Sequence, residues 1–151
     1  LYQNPTEAAI VAAGVRHAIG DRPLILKIGH MTDSGDAEEL LEAVEPFATA
    51  ISMTNSVATT VRGQSGELLF AGQQRGICGE ATLDASLQQT SLFSERVRAR
   101  GHALSIISVG GVSNAGHVRS CLKAGAESVH IATAAMIDPN VALEIRRNWQ
   151  A

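Results

Sequence analysis

Four short clusters in this sequence carry groups suited to holding a small anionic or heterocyclic molecule: Lys27, Thr54-Asn55-Ser56, Gly110-Gly111 and Ala132-Thr133. Gly110-Gly111, followed by Ser113 and Asn114 at a helix start, reads as a phosphate cradle. Without Cβ atoms the backbone approaches an anion closely, and unpaired N–H groups at the helix start point toward it. Thr133 adds a hydroxyl and a further N–H of the same use. Lys27 stands near the end of an apolar run, where its ammonium is costly to desolvate unless an anion or acceptor meets it. Asn55 offers donors and an acceptor on one side chain, a match for an imide or amide edge. Each cluster has a plainer reading: a tight turn, a lysine whose stem reaches solvent, a turn-forming asparagine. Their concurrence at the ends of four strands favours a ligand.

The remaining titratable groups form no catalytic pattern. His30 follows the Lys27 run on a loop, and His17, His102, His117 and His130 are scattered without metal-ligand spacing. Cys78, in Arg75-Gly76-Ile77-Cys78-Gly79, reads as a small turn-filling residue rather than an activated thiol. No Ser/His/Asp set and no paired carboxylates are apparent.

The elements that must position these residues alternate between helix and strand. Asn4 or Thr6 caps a first helix, stopped by Gly20-Asp21-Arg22-Pro23. Apolar runs at 24–28, 50–54, 104–109 and 128–132 read as strands, and continuous apolar character marks strands buried on both faces. Helices are expected from Asp33 through Glu45, over 81–100, from an Asn114 cap to Lys123, and over 140–149. Residues 56–78 show no period and read as one long loop. Helix–strand alternation of this kind means an α/β fold with a parallel sheet. Four βα units suit either a small doubly wound sheet or half of an eight-stranded barrel, and in both, ligands meet the C-terminal strand ends.

At 151 residues one domain is expected, with an aliphatic core, since aromatics are 3% of the chain. A net charge of −3 argues against a nucleic-acid or anionic-membrane surface. No apolar run reaches the length of a membrane span. Two cysteines, Cys78 and Cys121, suit a reducing compartment, and a cytoplasmic location is the expectation. The start, Leu1-Tyr2-Gln3-Asn4-Pro5, reads as a loop entering a helix and suggests a piece of a longer protein.

Taken together, Pro23-Leu24-Ile25-Leu26-Lys27-Ile28, Thr54-Asn55-Ser56, Gly76-Ile77-Cys78-Gly79 with Leu83 and Ser86, Ile107-Ser108-Val109-Gly110-Gly111-Val112, Ala124-Gly125-Ala126 and Ile131-Ala132-Thr133-Ala134 resemble the dihydroorotate dehydrogenase family in order and approximate spacing. The resemblance covers nearly the whole chain. It implies the C-terminal half of an FMN-binding (βα)8 TIM barrel, supplying about the last four βα units plus a preceding helix, with residues 1–151 as part of one domain. It further implies that Lys27 and Thr54 contact the flavin ring and that Gly79, Gly110, Gly111, Ala132 and Thr133 hold the flavin phosphate. Asn55 and Ser56 would contact a small pyrimidine substrate.

The chain departs from the family in having Arg75-Gly76-Ile77-Cys78-Gly79 where Gly-Gly-Leu-Ser-Gly is usual, and Gly29-His30-Met31 where Pro-Asp is common. The family's catalytic base, a Cys or Ser, is expected upstream of Leu1, and Cys78 does not occupy its position. The implied activity is an FMN-dependent oxidoreductase acting on a dihydropyrimidine such as dihydroorotate, in pyrimidine biosynthesis. A homo-oligomer, and membrane association through elements preceding this segment, stay open. The alternatives are a phosphate-binding barrel without redox chemistry and a non-catalytic half-barrel that serves as a binding module.

Overall fold

Capping side chains set where each of the first helices begins. In a computed structural model describing residues 3–149, Asn4 accepts from the Glu7 N–H and opens α1 (Pro5–Ile19). Asp33 accepts from the N–H groups of Gly35 and Asp36 and opens α2 (Ser34–Val44). The opening Leu1-Tyr2 lies outside the described residues.

Between and after them run β1 (Ile25–Lys27), β2 (Ala50–Met53), β3 (Val57–Thr60), β4 (Gln74–Ile77), α3 (Leu83–Arg100), β5 (Ser105–Val109), α4 (Ala115–Lys123), β6 (Ser128–His130), α5 (Thr133–Ile137) and α6 (Val141–Arg147). The main sheet has the order β1-β2-β5-β6, and every pairing in it is parallel. A doubly wound sheet reverses its strand order at a switch point. This one does not reverse, as expected of a stretch of barrel wall.

Register explains which side chains face the helices. Leu26, Ile51 and Ile106 lie in one row, and pack with Leu40, Leu41 and Val44 of α2 and Phe93 of α3. Phe93, fully buried, puts an aromatic ring at the centre of a core expected to be aliphatic. The alternate row, Lys27, Ser52, Ile107 and Ser128, faces the other way. A second, smaller cluster joins Val112, Cys121 and Ala126 to Leu83 and Leu87 under α4.

Three expectations need correction. Residues 56–78 are not one irregular loop but carry the antiparallel pair β3–β4, registered Val57 to Ile77 and Thr60 to Gln74. Both strands are largely exposed, so they lack the apolar alternation by which a strand is recognised. The first and last strands of the main sheet are not buried on both faces, because they are its edges: Ile25 is 48% exposed. Finally, the helix expected over 140–149 is α6, a further short helix not expected from the sequence, α5, precedes it directly after β6, and α3 starts at Leu83 after a 3-10 turn over Glu80–Thr82. Among the described residues, no helix is long and apolar enough to cross a membrane.

Candidate active site at the strand ends

The C-terminal ends of all four parallel strands open into one cleft of about 400 Å³, within the usual range for small-molecule sites. Lys27, Thr54, Asn55, Gly79, Gly110, Gly111, Ala132 and Thr133 all line it. Ser56 does not. It lies instead in an adjoining cavity of about 520 Å³ with His30, and Lys27 and Asn55 form part of the wall of both. The expected site residues are therefore brought together in two connected compartments.

One end of the cleft is built from backbone. Gly110 and Gly111 follow β5 with φ of 140° and 74°. Among the described residues, the N–H groups of Gly110, Gly111 and Thr133 donate to no protein acceptor. Gly79, with φ of 81°, sits against Thr133: a Cβ there would lie 3.4 Å from the threonine methyl. The bare α-carbon of Gly111 answers a different need from the one its sequence suggests. A Cβ at this position would come within 2.7 Å of the Leu83 backbone, so the glycine lets the end of β5 pass the start of α3. The unpaired N–H groups then result from the turn this close passage requires.

The other end is built from side chains. Thr54 is buried and donates from Oγ1 to Gln89 Oε1 at 2.5 Å. Gln89, 1% exposed on α3, donates in turn to the Gly29 carbonyl at 2.9 Å. The Asn55 N–H donates to Ile28 at 3.1 Å, and the Thr54 N–H to Val109 at 2.5 Å. These bonds tie the ends of β1, β2 and β5 to one helix, and hold the backbone that carries Lys27 and Asn55. Gln89 escaped the sequence reading because nothing in an exposed-looking Leu87-Gln88-Gln89-Thr90 run marks one amide as buried.

Three further residues meet the cleft. Cys78 is exposed rather than turn-filling, and its Sγ lies 3.7 Å from the Asn55 carbonyl. His130 shares the row of Val109 and lines the same cleft, a position readable from the alternation Ser128-Val129-His130 once that run is taken as a strand. Ser113 lines it too, beside His117. Cys121, by contrast, is buried in the second cluster, where desolvation pushes its thiol up, away from the reactive thiolate form. Among the described residues, no group of His, Cys, Asp and Glu is placed to hold a metal ion.

The donor set suits a phosphorylated planar cofactor. Unpaired N–H groups and hydroxyls gather at one end, apolar Val109, Val112 and Ile137 form walls, and a cation and an amide stand at the other end.

Comparison with known proteins bears on the chain as a whole. The family model described as dihydroorotate dehydrogenase matches residues 2–151. The catalytic subunit of dihydroorotate dehydrogenase B (NAD(+)) from Staphylococcus carnosus (strain TM300) is 27% identical over 143 residues, 94% of this chain and 44% of that protein. Its counterpart from Malacoplasma penetrans (strain HF-2) is 26% identical over 129 residues, 84% of this chain and 40% of that protein. The chain thus spans less than half the length of these relatives. The crystal structure of DHODH from Eimeria tenella in complex with ferulenol superposes with a TM-score of 0.76 at 17% identity, over 96% of this chain and 43% of that one. At that identity the likeness speaks for the fold, a partial (βα)8 barrel.

Proposed function

The chain belongs to the dihydroorotate dehydrogenase family, and on that premise we propose that it forms the cofactor-phosphate end and part of the substrate site of an FMN-dependent oxidoreductase acting on a dihydropyrimidine such as dihydroorotate. The observation that carries this reading is the single cleft with unpaired N–H donors at one end and Lys27 with Asn55 at the other.

Bound FMN would supply the redox chemistry by accepting hydride at N5. The chain's own residues do the rest. The N–H groups of Gly110, Gly111 and Thr133, with the adjoining Gly79 and Ala132, hold the phosphate. Lys27 places a positive charge where negative charge develops on the ring system, and stabilises it without reorganisation. Thr54, its proton committed to Gln89, faces the ring as an acceptor. The Asn55 amide reads the imide edge of the pyrimidine, and Ser56, from the adjoining cavity, completes that contact. The base that takes the C5 proton is assigned to parts of the barrel outside residues 1–151.

Two substitutions in the full-length protein test this division of labour. Lys27→Ala should slow flavin reduction and loosen FMN. Asn55→Ala should leave FMN bound and raise KM for the pyrimidine about tenfold to a hundredfold, the consequence of stranding a buried polar group. Wild-type behaviour of both variants would remove these residues from the site. A purified protein that retains a sugar phosphate and no flavin would favour a non-redox phosphate-binding barrel instead.

A further inference from the structure

At the start of α4, a histidine set aside by the sequence reading stands next to the cleft. We propose that His117 and Asn114 are positioning residues that orient the Ser113 hydroxyl as a donor to the cofactor's phosphate. The inference rests on the flavin-phosphate reading above and assigns a further part of that site.

The argument runs from the helix cap outward. Asn114 Oδ1 accepts the His117 backbone N–H at 2.9 Å, which fixes the orientation of the amide. Its Nδ2 then lies 3.1 Å from His117 Nε2. An amide NH2 only donates, so Nε2 must accept. A neutral imidazole carries one proton, which therefore sits on Nδ1. Nδ1 is 3.3 Å from Ser113 Oγ, and donates to it.

The serine thus has one lone pair occupied, and its own proton is directed elsewhere. Ser113 lines the cleft beside Gly110 and Gly111. The opposite tautomer would let Nδ1 accept the Ser113 N–H at 3.4 Å, but would aim Nε2–H at the Asn114 NH2, which the cap prevents from turning.

The three side chains then form a chain of bonds running in one direction, from amide to imidazole to hydroxyl to anion, in which each bond polarises the next. The imidazole itself is not needed by the helix: the cap uses only the Asn114 side chain and a backbone N–H. A role for the ring must therefore be sought on its other side, where Ser113 meets the cleft.

Equilibrium binding of FMN and of riboflavin to the full-length apoprotein, followed by flavin fluorescence, separates the possibilities, because riboflavin lacks only the phosphate. The wild type should bind FMN far more tightly than riboflavin. Ser113→Ala and His117→Leu should each weaken FMN about tenfold to a hundredfold, as loss of a hydrogen bond to a charged group does, and leave riboflavin unchanged. The double variant should lose little more than either single one, since both break one chain. His117→Gln should restore FMN binding, because Oε1 can accept from Asn114 while Nε2 donates to Ser113.

Unchanged FMN affinity in His117→Leu or Ser113→Ala would overturn the proposal, as would equal weakening of FMN and riboflavin, which marks a purely structural role. A wild type without preference for FMN over riboflavin would instead overturn the phosphate reading itself. Should His117→Leu fail to fold, Ser113→Ala, which removes one hydroxyl, decides the matter alone.

Discussion

Gly111 shows how a residue can belong to a binding site for a reason that lies behind it. Its neighbours hold unpaired N–H groups toward the cleft, yet the space a side chain would need is filled on the opposite side by the Leu83 backbone, 2.7 Å from an added Cβ. Gly79, also at positive φ, would meet only the Thr133 methyl, at 3.4 Å, an ordinary contact. Gly111→Ala should therefore destabilise the protein by about 2–5 kcal/mol, combining the left-handed backbone penalty with overpacking. Gly79→Ala should cost about 1–2 kcal/mol, from the backbone alone. Thermal or chemical unfolding of the two variants checks the order, and a Gly111→Ala protein as stable as Gly79→Ala would show that the β5 turn yields easily. Among single residues, the place of Lys27, Asn55, Gly110, Gly111 and Thr133 at the cleft was legible in the sequence because their types are unusual at strand ends. Gln89 and His117 were not, since their roles come from partners distant in sequence or from a tautomer, and neither leaves a pattern along the chain.

At the scale of elements, the parallel strands were legible from their apolar runs, though only β2 and β5 have the burial on both faces that such runs suggest, since β1 and β6 are edges. The β3–β4 pair was not, because its stability comes from backbone pairing and its side chains face solvent. The contacts that lock helices to the sheet are partly polar. Glu45, at the end of α2, accepts from the Ala103 N–H at 3.0 Å and meets His102 Nδ1 at 2.5 Å, joining α2 to the turn between α3 and β5. The His102 contact foremost, then the Ala103 N–H, holds the Glu45 carboxyl below the ordinary glutamate value. A carboxyl whose native pKa is depressed binds protons more readily in the unfolded chain. Its contribution is therefore present in full above the unfolded value, and disappears as pH falls through the lower native one. Glu45→Gln should consequently narrow the stability difference between neutral and acid conditions, with the divergence from wild type closing below about pH 4.5. Parallel unfolding curves for the two proteins across that range would dismiss the contact as a stabilising one.

At the scale of the whole molecule, the described segment is a barrel wall with two open edges. Its accessible surface is 8829 Å², against roughly 7,300 Å² for a compact monomer of this mass. The excess includes Ile25 on the inner face of β1 and Met136 and Ile137 of α5, 85% and 81% exposed at the mouth of the cleft. Both β1 and β6 present unpaired parallel edges, surfaces that favour pairing with further strands. Residues 1–151 expressed alone should accordingly self-associate and turn over no dihydroorotate. Sedimentation showing a stable, cooperatively unfolding monomer would refute the first expectation, and measurable turnover the second. The central claim is that these strand ends hold FMN against a dihydropyrimidine. The most direct measurement is the visible spectrum of the full-length protein, before and after anaerobic addition of dihydroorotate. The account predicts bound flavin, released as one FMN per barrel, whose visible absorbance bleaches on addition of substrate. A protein that binds no flavin, or one whose flavin keeps its full colour with dihydroorotate present, would contradict it.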